Sequence, residues 1–187
     1  MGCRNLIWNK EYETMKRTDI ETLQLERLKW VVRYCYENIP FYKTKMDKAG
    51  VNPDKIKCLS DTKYIPFTTK SDLRDTYPFG MFATPIKDIV RIHASSGTTG
   101  KPTVVGYTQN DLNNWAEMIA RLVTAAGADE NTIVQIAFGY GMFTGALGLH
   151  YGLEKIGATV VPCSTGNSQK QLMFMRDFKT NALVATP

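Results

Sequence analysis

The stretch Ile133-Val-Gln-Ile-Ala-Phe138 decides the fold. It is a short run rich in β-branched residues and free of charge. Gly139-Tyr-Gly141 then breaks it, and its length suits a buried strand. Working outward, Ala146–Ile156 has the length and spacing of a helix closed by Gly157. Thr159-Val-Val161 is the next strand, Gln169–Phe178 the next helix and Ala182–Ala185 a last strand. Upstream, Asp111–Ala126 is predicted as a helix closed by Gly127. Leu112, Trp115, Met118, Ile119 and Leu122 fall on one side of it. Short strands alternating with helices through short joins argue an α/β fold with a mainly parallel sheet and flanking helices.

Further upstream, Ile89-Val-Arg-Ile92 and Thr103-Val-Val105 are strand candidates, and before them the character changes. Residues 1–90 hold three of the 14 glycines and are charged and aromatic. Leu25, Leu28, Val32 and Cys35, with Val31 beside them, recur at helical spacing over residues 20–37, and Pro40 is expected to stop that helix. A short helix is expected at 42–49 ending at Gly50. Another is expected to start at Thr69-Lys-Ser-Asp72, with Ser71 as a possible cap. The organisation is therefore a helical N-terminal region, 1–87, followed by an α/β region, 88–187. At 187 residues the chain is about one domain in size. It ends on the apolar run Asn181-Ala-Leu-Val-Ala-Thr-Pro187, and it is expected to be a piece of a longer protein.

Composition narrows the function classes. The net charge of +5 is interleaved with acids, as in Asp61-Thr-Lys63, instead of forming a stripe, which argues against a nucleic-acid binder. The four cysteines form no CxxC pair and neither histidine stands at ligand spacing to them, so free thiols in a cytoplasmic protein are expected, with no metal site. Residues 131–153 carry no Asp, Glu, Lys or Arg and contain the spacings Gly141-xxx-Gly145 and Gly148-xxx-Gly152. Gly139-Tyr-Gly141, Gln135 and His150 argue against a membrane helix there.

The chemistry is concentrated in His93-Ala-Ser-Ser-Gly-Thr-Thr-Gly-Lys-Pro102. Glycines let backbone N–H groups turn toward an anion, hydroxyls add donors, and Lys101 adds a mobile positive charge. It is not a Walker A loop, because Gly97 and Gly100 are separated by two residues and Pro102 follows the lysine. Composition alone leaves two readings: a phosphate cradle, or a Ser/Gly turn between two strands.

With the loop and its flanks taken together, the chain resembles the acyl-adenylate-forming superfamily. Ser95-Ser-Gly-Thr-Thr-Gly-Lys-Pro102 is similar to the superfamily's signature loop. Asn38-Ile-Pro-Phe-Tyr42, the stretch Tyr64–Gly80 and Phe138-Gly-Tyr-Gly-Met-Phe-Thr-Gly145 resemble its phenylacetate–CoA ligase branch. The resemblance implies ATP-dependent activation of an aryl acid through an acyl-adenylate, then transfer to coenzyme A, with Mg2+ accompanying ATP. It implies that Ser95, Ser96, Gly97, Thr98, Thr99, Gly100 and Lys101 hold the nucleotide's phosphates. A homodimer stays open. The family's adenine motif, ribose clamp and C-terminal lysine domain have no counterpart in these residues, so the 187 residues alone are expected to be inactive. Two other readings stand beside this one: a related adenylyltransferase acting on a deazaflavin, and a non-catalytic nucleotide-binding module.

Phe138, Tyr140 and Phe143, with Gly145, follow a predicted parallel strand, where α/β sheets place ligand sites. They read either as core packing at a strand–helix junction or, with the resemblance, as the wall of an aryl-acid pocket. His93 and His150 are expected to be structural hydrogen-bonders.

Overall fold

A computed structural model describes residues 6–95, 100–142 and 144–186. The chain forms two compact units, residues 14–107 and residues 1–13 with 108–187. The expected line at 87/88 follows the change of rhythm along the chain, whereas the two compact units divide at 13/14 and 107/108.

In the unit of residues 14–107, helix α2 (Arg17–Asn38) follows a four-residue α1 (Lys10–Glu13) that belongs to the other unit. Val32 of α2 is buried with Met46, Val51 and Ile56, and Leu28 and Tyr36 pack against them. Val31 faces outward. Pro40 does more than stop α2. It forces Ile39 into extended backbone (φ −122°, ψ 104°), and its own fixed φ then opens α3 (Pro40–Lys48). At the far end of α3, Gly50 takes φ +68°. The Val51 N–H reaches the Met46 carbonyl at 2.9 Å and the Gly50 N–H reaches Asp47 at 3.1 Å. This is a Schellman close, and its two apolar partners, Met46 and Val51, enter the core together.

Helix α4 (Lys70–Asp75) is capped by Thr69, not by Ser71. The Thr69 hydroxyl accepts from the Asp72 N–H at 3.3 Å, and the Asp72 carboxylate accepts from the Thr69 N–H at 2.8 Å. That reciprocal box needs an acid three residues after the cap, and only Thr69 has one. The unit closes with strands β1 (Arg91–Ala94) and β2 (Val104–Tyr107), which pair antiparallel, His93 opposite Val105. The first two strands therefore form a hairpin of their own and stay outside the parallel sheet. Residues 86–88, after Pro85, form a 3-10 turn and delay the strand to Arg91.

The other unit is the α/β part. Helix α5 (Gln109–Ala125) is capped by Thr108 and Asp111. Strand β3 (Ile133–Ile136), helix α6 (Gly145–Lys155), strand β4 (Thr159–Val161), helix α7 (Ser168–Asp177) and strand β5 (Ala182–Val184) follow. The sheet order is β4-β3-β5, all parallel, with Gln135 level with Val161 and Leu183. Alternation along β3 turns Val134 and Ile136 onto the core of Ala120, Val123, Ala146, Leu153, Ile156 and Ala158. Gln135 takes the opposite face. It is fully buried and donates to the Gln171 side chain of α7 at 2.5 Å.

One face was misjudged from spacing. On α5, Met118 and Leu122 are each 59% exposed, while Ala120, Val123 and Thr124 are buried. The apolar arc extends from Trp115 and Ile119 toward the small residues, because α6 approaches through its glycines and admits Ala120 against the sheet.

Candidate functional site

Residues 95–103 join β1 to β2, which pair antiparallel, so this segment is the loop of a hairpin. Ser95 closes its base. The Ser95 N–H donates to the Thr103 carbonyl, and the Thr103 N–H donates to Ser95 Oγ, each at 2.9 Å. A hydroxyl that accepts one bond still has its own proton to give to an anion. Gly100 has φ +128° and open space where a Cβ would stand. A side chain would be strained there, so the glycine is required by the backbone. Lys101 is exposed, with Nζ 5.8 Å from the Tyr77 ring centre. Ser96, Gly97, Thr98 and Thr99 lie outside the described residues.

The hairpin that holds the loop is anchored from beneath. His93 is 3% exposed, and its ring meets the Tyr107 ring edge-on at 5.6 Å. A Cβ on Gly106 would stand 2.5 Å from the Phe82 ring, which in turn leans on Phe79. His93 is thus a core residue of the hairpin.

In the α/β unit, the segment after β3 carries the second set of candidates. Phe138 and Tyr140 are half-buried and pack against the α5/α6 core. Phe143 lies outside the described residues. A Cβ on Gly139 or Gly141 would meet nothing within 4 Å, so the chain has open space beside it there. A Cβ on Gly145, at the start of α6, would stand 3.5 Å from Phe138 in ordinary contact.

Tyr140 is held by a polar chain that spacing alone did not single out. Its hydroxyl lies 3.2 Å from His150 Nδ1, and His150 Nε2 lies 2.9 Å from Glu154 Oε1. The signal was present in the sequence as His150 and Glu154, four residues apart on one helix face. Burial, then the Cys163 thiol and the Glu154 carboxylate, push the Tyr140 phenol up to about 12. Cys163 is half-buried, and burial raises its thiol as well, against the opposing pull of Lys170. Among the described residues no cluster of three or more His, Cys, Asp or Glu could hold a metal. No helix among them is long and apolar enough to cross a membrane.

No protein-family model matches the chain. Over 175 residues, 94% of its length, it is 54% identical to the phenylacetate-coenzyme A ligase of Escherichia coli (strain K12). Over 182 residues, 97% of its length, it is 52% identical to the phenylacetate-coenzyme A ligase of Thermus thermophilus. It spans 40% and 41% of these two relatives' lengths. Its fold matches, over all of this chain, 41% of the chain of a 2-hydroxyisobutyryl-CoA ligase solved with 2-HIB-AMP and CoA in the thioesterification state. The TM-score is 0.91 at 28% identity. An open conformation of that ligase matches with a TM-score of 0.90.

Proposed function

We propose that this chain is the phosphate- and acid-handling part of an AMP-forming phenylacetate–CoA ligase. The observation that carries the reading is 49–54% identity to four phenylacetate-coenzyme A ligases over at least 94% of this chain.

In the proposed reaction a carboxylate oxygen of the aryl acid attacks the α-phosphorus of ATP. The bond to the β-phosphate breaks, and pyrophosphate leaves with the electron pair. The coenzyme A sulfur then attacks the acyl carbon, and AMP departs. Negative charge grows on the leaving pyrophosphate, and oriented donors stabilise it. Ser95 and Lys101 are assigned to it, with Ser96, Gly97, Thr98, Thr99 and Gly100 supplying the rest of the loop. The hairpin supports this role, because Ser95 is fixed at the loop's base while Lys101 stays exposed. Phe138, Tyr140, Phe143 and Gly145 are assigned to the acid pocket. The open space beside Gly139 and Gly141 supports that assignment. Mg2+ enters with the nucleotide's phosphates and is assigned no ligand from this chain. Cys35, Cys58 and Cys163 are free thiols, which supports a reducing compartment such as the cytoplasm.

The test is an acid screen on the ligase that carries this chain, reading pyrophosphate release with and without coenzyme A. Phenylacetate is expected to release pyrophosphate, and coenzyme A to convert the adenylate to a thioester. Transfer of AMP to a flavin-type acceptor, with no aryl acid turned over, would sink the reading.

A further inference from the structure

The chain Tyr140–His150–Glu154 fixes which way one proton points. Glu154 offers only acceptors when ionised, so the nitrogen facing it, His150 Nε2, carries the hydrogen. A neutral imidazole protonated there has a bare Nδ1, and the Tyr140 hydroxyl, 3.2 Å away, donates to it. The phenol keeps its proton at neutral pH, since burial, then Cys163 and Glu154, push its pKa up to about 12. A phenol that has committed its one proton to His150 turns only lone pairs to its other side. The geometry of α6 makes this arrangement stiff. Gly148 and Gly152 pin the opposite face of the helix against Trp115 and Ile119, and Tyr140 meets the His150 ring edge-on at 5.7 Å.

We propose that His150, held by Glu154, is a positioning residue that makes Tyr140 a hydrogen-bond acceptor within the acid pocket, so that an aryl acid bearing a ring hydroxyl or amino donor finds a partner there. This rests on the aryl-acid reading of the segment after β3. A plain phenyl ring has no donor to offer and gains nothing from the device. The relay therefore sets the ratio between donor-bearing and plain acids, and leaves the adenylation chemistry to the phosphate loop.

The test inverts the relay at its exposed end. Glu154→Lys places a donor where an acceptor stood. Nε2 then becomes the bare nitrogen, Nδ1–H donates to Tyr140, and the tyrosine proton swings outward. Glu154 is half-exposed, so the change does not disturb a core. Glu154→Gln keeps the shape and can either donate or accept, giving an intermediate case. Two readouts are taken on the ligase that carries this chain. Long-range 1H–15N NMR of labelled histidine reads the tautomer, expected as Nε2–H in the parent and Nδ1–H in Glu154→Lys. Kinetics reads kcat/KM for hydroxyphenylacetate relative to phenylacetate, expected to fall at least about fivefold in Glu154→Lys. Nδ1–H or doubly protonated His150 in the parent overturns the proposal. So does an inverted tautomer that leaves the ratio unmoved. Turnover of no aryl acid at all overturns the functional reading and this proposal with it, and is distinguishable because the other failures occur in an active ligase.

Discussion

The indole of Trp115 lies so close to Gly148 that a Cβ there would stand 2.4 Å from it. One turn on, a Cβ at Gly152 would stand 2.2 Å from Ile119. The i,i+4 ridge of α5 thus sits in a groove made by missing side chains on α6. The spacing Gly148-xxx-Gly152 serves close helix packing inside the α/β unit.

Both glycines are expected to resist alanine, and unequally. At Gly148 the crowded atoms are all ring atoms of Trp115, beyond two rotatable bonds, whereas at Gly152 they include the Ile119 Cβ and the Ala120 backbone nitrogen, both fixed to α5. Gly152→Ala is expected to lose more stability than Gly148→Ala, each within the roughly 1–3 kcal/mol of an overpacked core. Urea denaturation of the two variants checks the order. A smaller residue at position 115 should restore part of the loss in Gly148→Ala and none in Gly152→Ala.

Glu117 ties the N-terminal segment to α5. It accepts from Trp8 Nε1 at 3.1 Å and Asn9 Nδ2 at 2.9 Å, and pairs with Arg121 at 3.2 Å. Burial alone would raise its pKa, but the bonds from Asn9 and Trp8 and the Arg121 cation outweigh burial and hold the pKa below the usual carboxylate value. A carboxylate lowered on folding stabilises fully above its unfolded value, about 4.3, and loses that contribution as pH falls toward the folded value. The stability gap between the parent and Glu117→Gln is therefore expected to be constant near neutrality and to close below about pH 4.3. A gap that widens in acid would contradict this.

Thr69 and Ser71 separate two readings of one helix start. Thr69→Ala removes the cap of α4 and is expected to cost about 1 kcal/mol. Ser71→Ala, which loses only a hydroxyl contact to Thr69 at 2.8 Å, is expected to stay within about 0.5 kcal/mol. Thermal melts of both variants decide it.

Lys101 is expected to matter for chemistry and not for folding, because it is exposed and its ammonium lies on the face of Tyr77. Under the proposed function, Lys101→Ala is expected to lower acid-dependent pyrophosphate release by on the order of 10²-fold with an unchanged melt. The 187 residues alone, spanning about 40% of the relatives they match, are expected to release none above the Lys101→Ala background.

Sequence alone determined the local architecture of this protein. The β-branched run at Ile133, the glycines at 127 and 157, and the acid at Asp111 each act over one turn or one strand. Their effects are steric or reciprocal hydrogen bonds between near neighbours, so they are legible in order along the chain. The Ser/Gly/Thr stretch stands out in the sequence for the same reason, since its hydroxyls and glycines are consecutive. Only the tertiary structure decided that β1 and β2 pair with each other, because pairing depends on which edges meet. It alone decided that Met118 and Leu122 face outward, because the direction of an apolar arc is set by what packs against it. The Tyr140–His150–Glu154 relay joins a loop to a helix ten residues on. A proton's direction there follows from distances between three side chains, and those exist only once β3 and α6 have packed.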